Sequence, residues 1–362
     1  MNDPDRLRES FSLQYQACRG LGADVSAAIL DRARRDLELG GLVASLLADL
    51  DFDPVLGNLP LRLLSAVHRL VLEGRAPELE VHFPTMGGTP DLDAVGDLFL
   101  ELAATHKDAL REQHAFHPQT NEVARSAVLF AGLMTIWQRT GLPMRLYELG
   151  ASAGLNLHFD RYRYKLGIYE WGDPHSPVRL HPQWSGDFLP AEDTPLEILS
   201  REGCDLDPID VRDPAAALRL CSYVWADDPD QLDRLRAAIG VARQSPLDVD
   251  RDDAIDWLAD KLEHMRPGES TVIYHSVFWR SLSRAERAEL TALIEEAAER
   301  ARIGQPLAWL RLEQEEQIFT LRLRIWPAGR GREELLAEAH PHCRWIRWHR
   351  RGIRPLIEEM DD

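Results

Sequence analysis

Four cysteines, at positions 18, 204, 221 and 343, are all that the 362 residues contain, and no two form a C-x-x-C pair. That scarcity argues against a disulfide framework or a zinc knuckle and leaves buried, reduced thiols as the expectation. No apolar run approaches the roughly 20 residues of a membrane span, and residues 1–10 lack the basic-then-apolar layout of a secretion signal, so a cytoplasmic protein is expected. Positive charge is also short: 42 Lys and Arg against 60 Asp and Glu leave a formal net charge of -18. Nucleic acid and anionic membranes attract proteins through a positive field, which makes neither an expected partner. Internal repeats and low-complexity tracts are absent too, which leaves an ordinary globular chain.

What is present divides into two grammars. Residues 3–139 carry helical spacing almost throughout. One apolar stripe runs through Leu42, Leu46, Leu47 and Leu50, and a second through Leu61, Leu64, Val67, His68 and Val71 with Asn58 placed to cap it. Further helices are expected over 91–109 and 119–139, the last with Thr120 or Asn121 as its cap, and residues 81–90 read as an ordered loop. After residue 143, short apolar runs alternate with amphipathic stretches, the pattern of a mostly parallel sheet covered on both faces. Strands are expected before the glycine-rich turn at 150 and over 196–204, 218–225, 271–277 and 307–312. Helices fall between them, including 231–242 started by Asp228 and Pro229, 255–264, and one opened by the capping box of Ser283 and Glu286.

Residues 162–190, rich in aromatics, proline and glycine, read as a β-hairpin insertion, and 318–326 with 345–348 as a terminal antiparallel hairpin. The expected fold is therefore α/β: a Rossmann-like, mostly parallel sheet over 141–362, preceded by an all-helical region over 1–140.

The chemistry concentrates at Arg145-Leu146-Tyr147-Glu148-Leu149-Gly150-Ala151-Ser152-Ala153-Gly154-Leu155-Asn156, which reads as strand, tight turn and helix. As a cofactor loop, Gly150 and Gly154 supply positive φ and close backbone approach, the following helix aims amides at the ligand, and Glu148 stands at the mouth. As a nucleophile elbow, Ser152 attacks an acyl carbon, with Asp253 or Glu313 and then His340, His342 or His349 as partners. An α/β-hydrolase sheet has several strands before its elbow, however, and only helices are expected before residue 143. The dinucleotide fingerprint G-x-G-x-x-G is not matched. The pattern E-x-G-x-S-x-G instead resembles motif I of class I S-adenosylmethionine-dependent methyltransferases, with Ser152 in place of the middle glycine. That resemblance implies S-adenosylmethionine held by Glu148, Gly150, Ala151, Ser152, Gly154 and Asn156, and methyl transfer to a small molecule. A third reading, a nucleotide-binding or interaction protein without turnover, uses the same turn.

A longer set of residues is similar to the bacterial family called domain of unknown function 2332. It comprises Gln119-Thr120-Asn121-Glu122-Val123-Ala124-Arg125-Ser126, the turn from Glu148 through Leu157, Asp160-Arg161-Tyr162, Pro306-Leu307-Ala308-Trp309-Leu310-Arg311-Leu312-Glu313 and Pro341-His342, and so spans almost the whole chain. The resemblance implies a methyltransferase-like fold with a helical N-terminal part, and no activity.

Ligands of a doubly wound sheet bind beyond the carboxyl ends of its strands, so polar residues just after each expected strand complete the candidates. Asp205 and Asp207 follow 196–204 and suit ribose hydroxyls, or form a solvated acidic loop. Asp252 and Asp253 precede 255–264, where the methyltransferases often place an acid toward adenine; a helix cap is the other reading. Tyr274, His275 and Trp279 close 271–277, His275 as a general base or a core-held histidine, and Glu313 at the end of 307–312 has the same standing. Asn121, Glu122 and Arg125 start the helix leading into the motif strand and read as a plain cap with a surface ion pair or as overhanging cofactor or substrate, the family resemblance favouring the second. His106, His114 and His117 lack a ligand set, so no metal is expected. Arg344, Arg347, Arg350, Arg351 and Arg354, interleaved with Trp345 and Trp348, read as a charged edge strand and tail rather than a nucleic-acid contact.

Overall fold

The computed structural model describes residues 4–47, 57–114, 116, 118–119, 122–187, 196–327 and 331–349. Within them the chain begins with helices α1 (Pro4–Gly20), α2 (Asp24–Glu38), α3 (Leu42–Leu47), α4 (Leu59–Leu72), α5 (Pro77–Glu80), α6 (Leu92–Thr105), α7 (Lys107–His114) and α8 (Ser126–Thr140). Strand β1 (Met144–Leu149) follows, then a 3-10 helix (Leu155–Arg161) and strands β2 (Arg163–Leu166), β3 (Tyr169–Trp171), β4 (Arg179–Leu180), β5 (Gln183–Ser185) and β6 (Ile198–Asp205). The remainder alternates: α9 (Pro214–Ser222), α10 (Pro229–Gln244), β7 (Asp250–Arg251), α11 (Ala254–Glu263), β8 (Ser270–Ser276) and α12 (Arg284–Ala298). It closes with β9 (Leu307–Glu315), β10 (Ile318–Trp326), β11 (Glu334–Ala339) and β12 (Trp345–Trp348). No described helix is long and apolar enough to cross a membrane, and all four cysteines are free and buried.

Two compact units result. The first joins Met1–Asn121 to the excursion Arg212–Arg236, the second joins Glu122–Val211 to Ala237–Asp362. In the first, the apolar faces of α2, α4 and α6 close on one another through Leu30, Leu63, Val67 and Phe99, all fully buried. The excursion supplies Ala226 to this core and packs α9 on α4. Asp227, inside the excursion, accepts from the amides of Val25 at 2.7 Å and Ser26 at 3.0 Å and from Ser26 Oγ at 2.6 Å. It thereby satisfies the start of α2, whose own cap residue Ala23 has no side-chain acceptor.

The second unit holds a nine-stranded sheet in the order β5-β12-β11-β10-β9-β8-β1-β6-β7. From β9 to β7 every neighbouring pair is parallel, β9 to β12 run as an antiparallel meander, and β5 adds to β12 in parallel. The inner strands are apolar and buried on both sides, as parallel strands with two covered faces require. Helix α8 covers one face against β9 and β10. On the other, Trp257, Leu258, Leu290 and Ile294 of α11 and α12 pack on Leu149, Ile273 and Trp309. The box that opens α12 is complete, with Ser283 Oγ accepting from Glu286 N and the Glu286 carboxylate accepting from Ser283 N. Ser283→Ala is expected to lower stability by about 1 kcal/mol, read as a shifted urea midpoint at unchanged slope.

Several expectations are corrected here. Residues 218–225 are not a strand: Asp213 accepts from the amides of Ala215 and Ala216 and Pro214 occupies the first turn, so the segment enters helix α9. The boundary drawn near Gly141 falls at Glu122 instead, because α8 packs on the sheet. The terminal hairpin is a meander with β11 between its two expected strands. The insertion at 162–190 yields a small sheet of order β3-β2-β4, while β5 joins the large sheet. The helix expected over 91–109 breaks at His106 into α6 and α7, and Asn58 sits left-handed with no side-chain cap bond. The proposed caps Thr120 and Asn121 lie outside the described residues.

Candidate functional site

Strand β1 lies between β6 and β8, and the chain runs from β1 out to β6 and β7 before returning to β8 on its other side. The carboxyl ends of these strands are therefore where the order of the sheet reverses. Glu148, next to last in β1, registers with Tyr274 of β8 and is 2% exposed. Tyr274 Oη donates to Glu148 Oε2 at 3.2 Å, Asn156 bonds the same carboxyl group, and Ser126 Oγ donates to Asn156 Oδ1 at 2.7 Å. Burial is the largest influence on Glu148 and pushes its pKa up to about 8, opposed by the bonds from Tyr274 and Asn156 and reinforced by Asp205. At neutral pH this is a mostly protonated acid enclosed within the sheet.

The turn after β1 is left-handed three times, at Gly150 (φ 67°), Ser152 (φ 53°) and Gly154 (φ 67°). Glycine tolerates this conformation; for Ser152 it costs roughly 1–3 kcal/mol. Asp205 at the end of β6 holds the strained residue, accepting from Ser152 N at 2.9 Å through one oxygen and from Asp207 N at 2.9 Å through the other. Ala151 N donates to Cys204 O, and Ile209 N to Ser152 O. The amides of Ala151 and Ser152 thus already serve the fold, and the helix that follows is a seven-residue 3-10 helix. The helix expected after the turn is thus short and 3-10 rather than α.

The end of β8 has a counterpart. Val277 is left-handed at φ 57°, an outlier for a β-branched residue. Its N–H donates to Leu312 O at 2.9 Å, and the next two amides, of Phe278 and Trp279, both donate to Glu313 Oε1 at 3.0 and 3.1 Å. Trp309 Nε1 donates to His275 Nε2 at 3.2 Å. An indole can only donate, so Nε2 accepts and Nδ1 carries the proton that meets Glu313 Oε1 at 2.6 Å. His275 is fully buried with both nitrogens engaged, which removes it as a general base and makes it the support of Glu313. Glu313 is different: three donors converge on Oε1, while Oε2 has no hydrogen-bond partner among the described residues and the side chain is 14% exposed.

At the same edge, Glu122 caps a 3-10 turn through Ala124 N at 3.0 Å and meets His342 Nδ1 at 3.1 Å. His342 N in turn donates to His340 Nδ1 at 3.0 Å. Arg125 is buried over the Phe319 ring; burial lowers its pKa, and Glu122, Cys343 and Glu313 lie within electrostatic reach. Two residues singled out near position 120 are thereby brought beside one singled out near 313.

A family model described as "uncharacterized protein conserved in bacteria" (DUF2332) matches residues 8–348. The chain belongs to this family. No curated protein matches it, and no solved structure does.

In this DUF2332 chain the predicted residues separate into those that meet and those that do not. Glu148, Gly150, Ala151, Ser152, Gly154, Asn156 and Tyr274 surround the end of β1, and His275, Trp279 and Glu313 the ends of β8 and β9. Asp207 lies at the exposed rim, paired with Arg251, and Asp205 is the acid that reaches the turn. Asp253 caps α11, accepting from Ile255 N at 2.8 Å. Asn121 lies outside the described residues, as do His117, Arg350, Arg351 and Arg354. The partners an acyl-enzyme elbow needs are engaged elsewhere: Asp253 on its helix, Glu313 on His275, His342 on Glu122 and His349 on Glu338. Among the described residues no group of three or more His, Cys, Asp or Glu is placed to hold a metal ion. Val277, Phe278, Trp309 and Ser126 are not among the predicted site residues: the first two are marked only by their place just beyond β8, and the last two stand inside the stretches that carry the family resemblance without chemistry of their own to single them out.

Proposed function

We propose that this DUF2332 protein binds S-adenosylmethionine at the carboxyl ends of β1, β6 and β8 and transfers its methyl group to a small molecule. The observation that carries the reading is the reversal of strand order at β1 and β8, where two residues with side chains, Ser152 and Val277, are held left-handed at adjoining strand ends. Ligands of open α/β sheets bind in the crevice at such a reversal, and backbone strain of this kind collects at ligand sites. Five parallel strands in the order β7-β6-β1-β8-β9 suit a Rossmann-like, class I methyltransferase-like domain, in keeping with the turn E-x-G-x-S-x-G.

The residues fit such a cofactor on two counts. Gly150 and Gly154 carry no side chain of their own at left-handed positions, and each oxygen of Asp205 accepts one bond, which leaves acceptor capacity for ribose hydroxyls. S-adenosylmethionine supplies an electrophilic methyl group on a sulfonium. The chain's own part is to bind, orient and exclude water. Glu313 has the further task of receiving a proton: Oε1 is fixed by three donors, and Oε2 is left to accept from a hydroxyl or amine of the substrate. His275 acts through Glu313 as a positioning residue.

Calorimetric titration of the full chain with S-adenosylmethionine and with S-adenosylhomocysteine tests the reading. Saturable binding at submillimolar ligand is expected, and no heat at millimolar ligand overturns it.

A further inference from the structure

Phe278 stands where the glycine turn should be open. A Cβ built on Gly150 would lie 2.6 Å from Phe278 Cδ2, 3.2 Å from its Cγ and 3.3 Å from its Cβ. The ring therefore rests on the bare α-carbon of Gly150, and the close backbone approach that a glycine offers a ligand is taken up by a side chain of the same molecule.

The ring is carried on a short segment. Before the ring and at it, Val277 N donates to Leu312 O and the amides of Phe278 and Trp279 donate to a single oxygen of Glu313; after it, Ser281 N and Oγ donate to Phe278 O, and Leu282 N and Arg287 Nε donate to Trp279 O. Trp279 adds a stack on His275, with ring centroids 5.4 Å apart and planes within 6°. All four residues from Ser276 to Trp279 are only half-buried. At the base of the segment is Val277, whose left-handed backbone is disfavoured for a β-branched side chain and is relieved if the segment swings away. A strained pivot, a detachable latch and a ring seated on the ligand-facing glycine make one device.

We infer that Phe278 is a gate over the glycine turn, pivoting at Val277 and latched by Glu313, which a ligand must displace to reach Gly150. The inference rests on the turn being a ligand site, as proposed above, and adds that the site is shut until the latch releases.

A native thiol reports on the gate without any ligand. Cys204 is fully buried, its sulfur is hydrogen-bonded by the Gly150 backbone, and it belongs to the apolar cluster on whose edge Phe278 packs. Burial pushes its pKa up to about 12, so reaction in the closed state is slow. The full chain is treated with N-ethylmaleimide and labelling followed at each cysteine by peptide mass spectrometry, with Cys343, buried in the same unit, as the internal control for unfolding of that unit. Phe278→Ala is expected to speed labelling of Cys204 by about tenfold or more while Cys343 stays protected, because local opening exposes the turn alone. An unchanged Cys204 rate overturns the gate. An equal rise at Cys343 marks loss of the fold and moves the decision to Glu313→Gln, which keeps the ring and loosens the latch. The same selective rise at Cys204 is then required, and its absence overturns the inference. No cofactor enters this experiment, so a failure of S-adenosylmethionine to bind and a failure of the gate are separate results.

Discussion

Gly150→Val is expected to lower stability by roughly 2–5 kcal/mol and to abolish ligand binding at the turn. Two costs add. The backbone at φ 67° is a conformation that a β-branched residue resists, and the new Cβ would come within 2.6 Å of the Phe278 ring. The ring cannot yield by a small shift, since its Cγ and Cβ are also within 3.3 Å of that position. Gly154→Val is the informative comparison, because its φ is also 67° while its Cβ would meet only Val249 Cγ2 at 3.1 Å and Leu157 Cδ1 at 3.5 Å. The strain is shared and the clash is not, so the urea midpoint should fall further for position 150. Equal midpoints for the two variants would show that the contact with Phe278 is not made in solution.

The second large effect depends on pH. An unfolded glutamate ionises near 4.5, whereas Glu148 in the fold keeps its proton up to about 8. Between those values the folded chain binds a proton that the unfolded chain has lost. The contribution of this group is thus full below pH 4.5, falls as pH rises through the window and is lost above 8. The slope is about 1.4 kcal/mol per pH unit and the whole change about 5 kcal/mol. Glu148→Gln keeps the shape and an acceptor for Tyr274 but cannot ionise. Urea unfolding of both proteins across this window should show the variant gaining on the wild type with each step up in pH. Parallel curves would mean that Glu148 is ionised in the folded protein throughout.

Both predictions concern residues that were legible in the sequence, and the reason is local. A left-handed turn at the end of a buried strand needs glycine, and a carboxyl group inside such a strand needs partners, so Gly150, Gly154 and Glu148 announce themselves. Asp205 and Asp207 show where legibility stops. Both follow β6, and only the twist of the sheet decides that the first reaches Ser152 N while the second pairs with Arg251. Helix α9 was misread because Leu218, Leu220 and Val224 alternate like a strand, although Asp213 and Pro214 carried the contrary signal. Strand β11, Glu334-Leu335-Leu336-Ala337-Glu338-Ala339, is made of good helix formers and is drawn into the sheet by pairing on both sides with β10 and β12. The support of His275 by Trp309 and Glu313 depends on contacts 34 and 38 residues away in sequence, which no local pattern encodes.

The excursion Arg212–Arg236 has a consequence for how this protein comes apart. Because the polypeptide crosses between its units at Asn121, Val211 and Arg236, no single cut yields two whole pieces. Expressing residues 1–121 alone would leave α2 without the carboxylate of Asp227, His68 without the Val224 carbonyl and the amide of Thr85 without that of Ala226. The helical part is therefore completed only after the ribosome has passed residue 236, when β1 and β6 have already been made. Synthesis and folding order are thereby decoupled, and the first third of the chain must wait, exposed to proteases and chaperones, for a piece of the second.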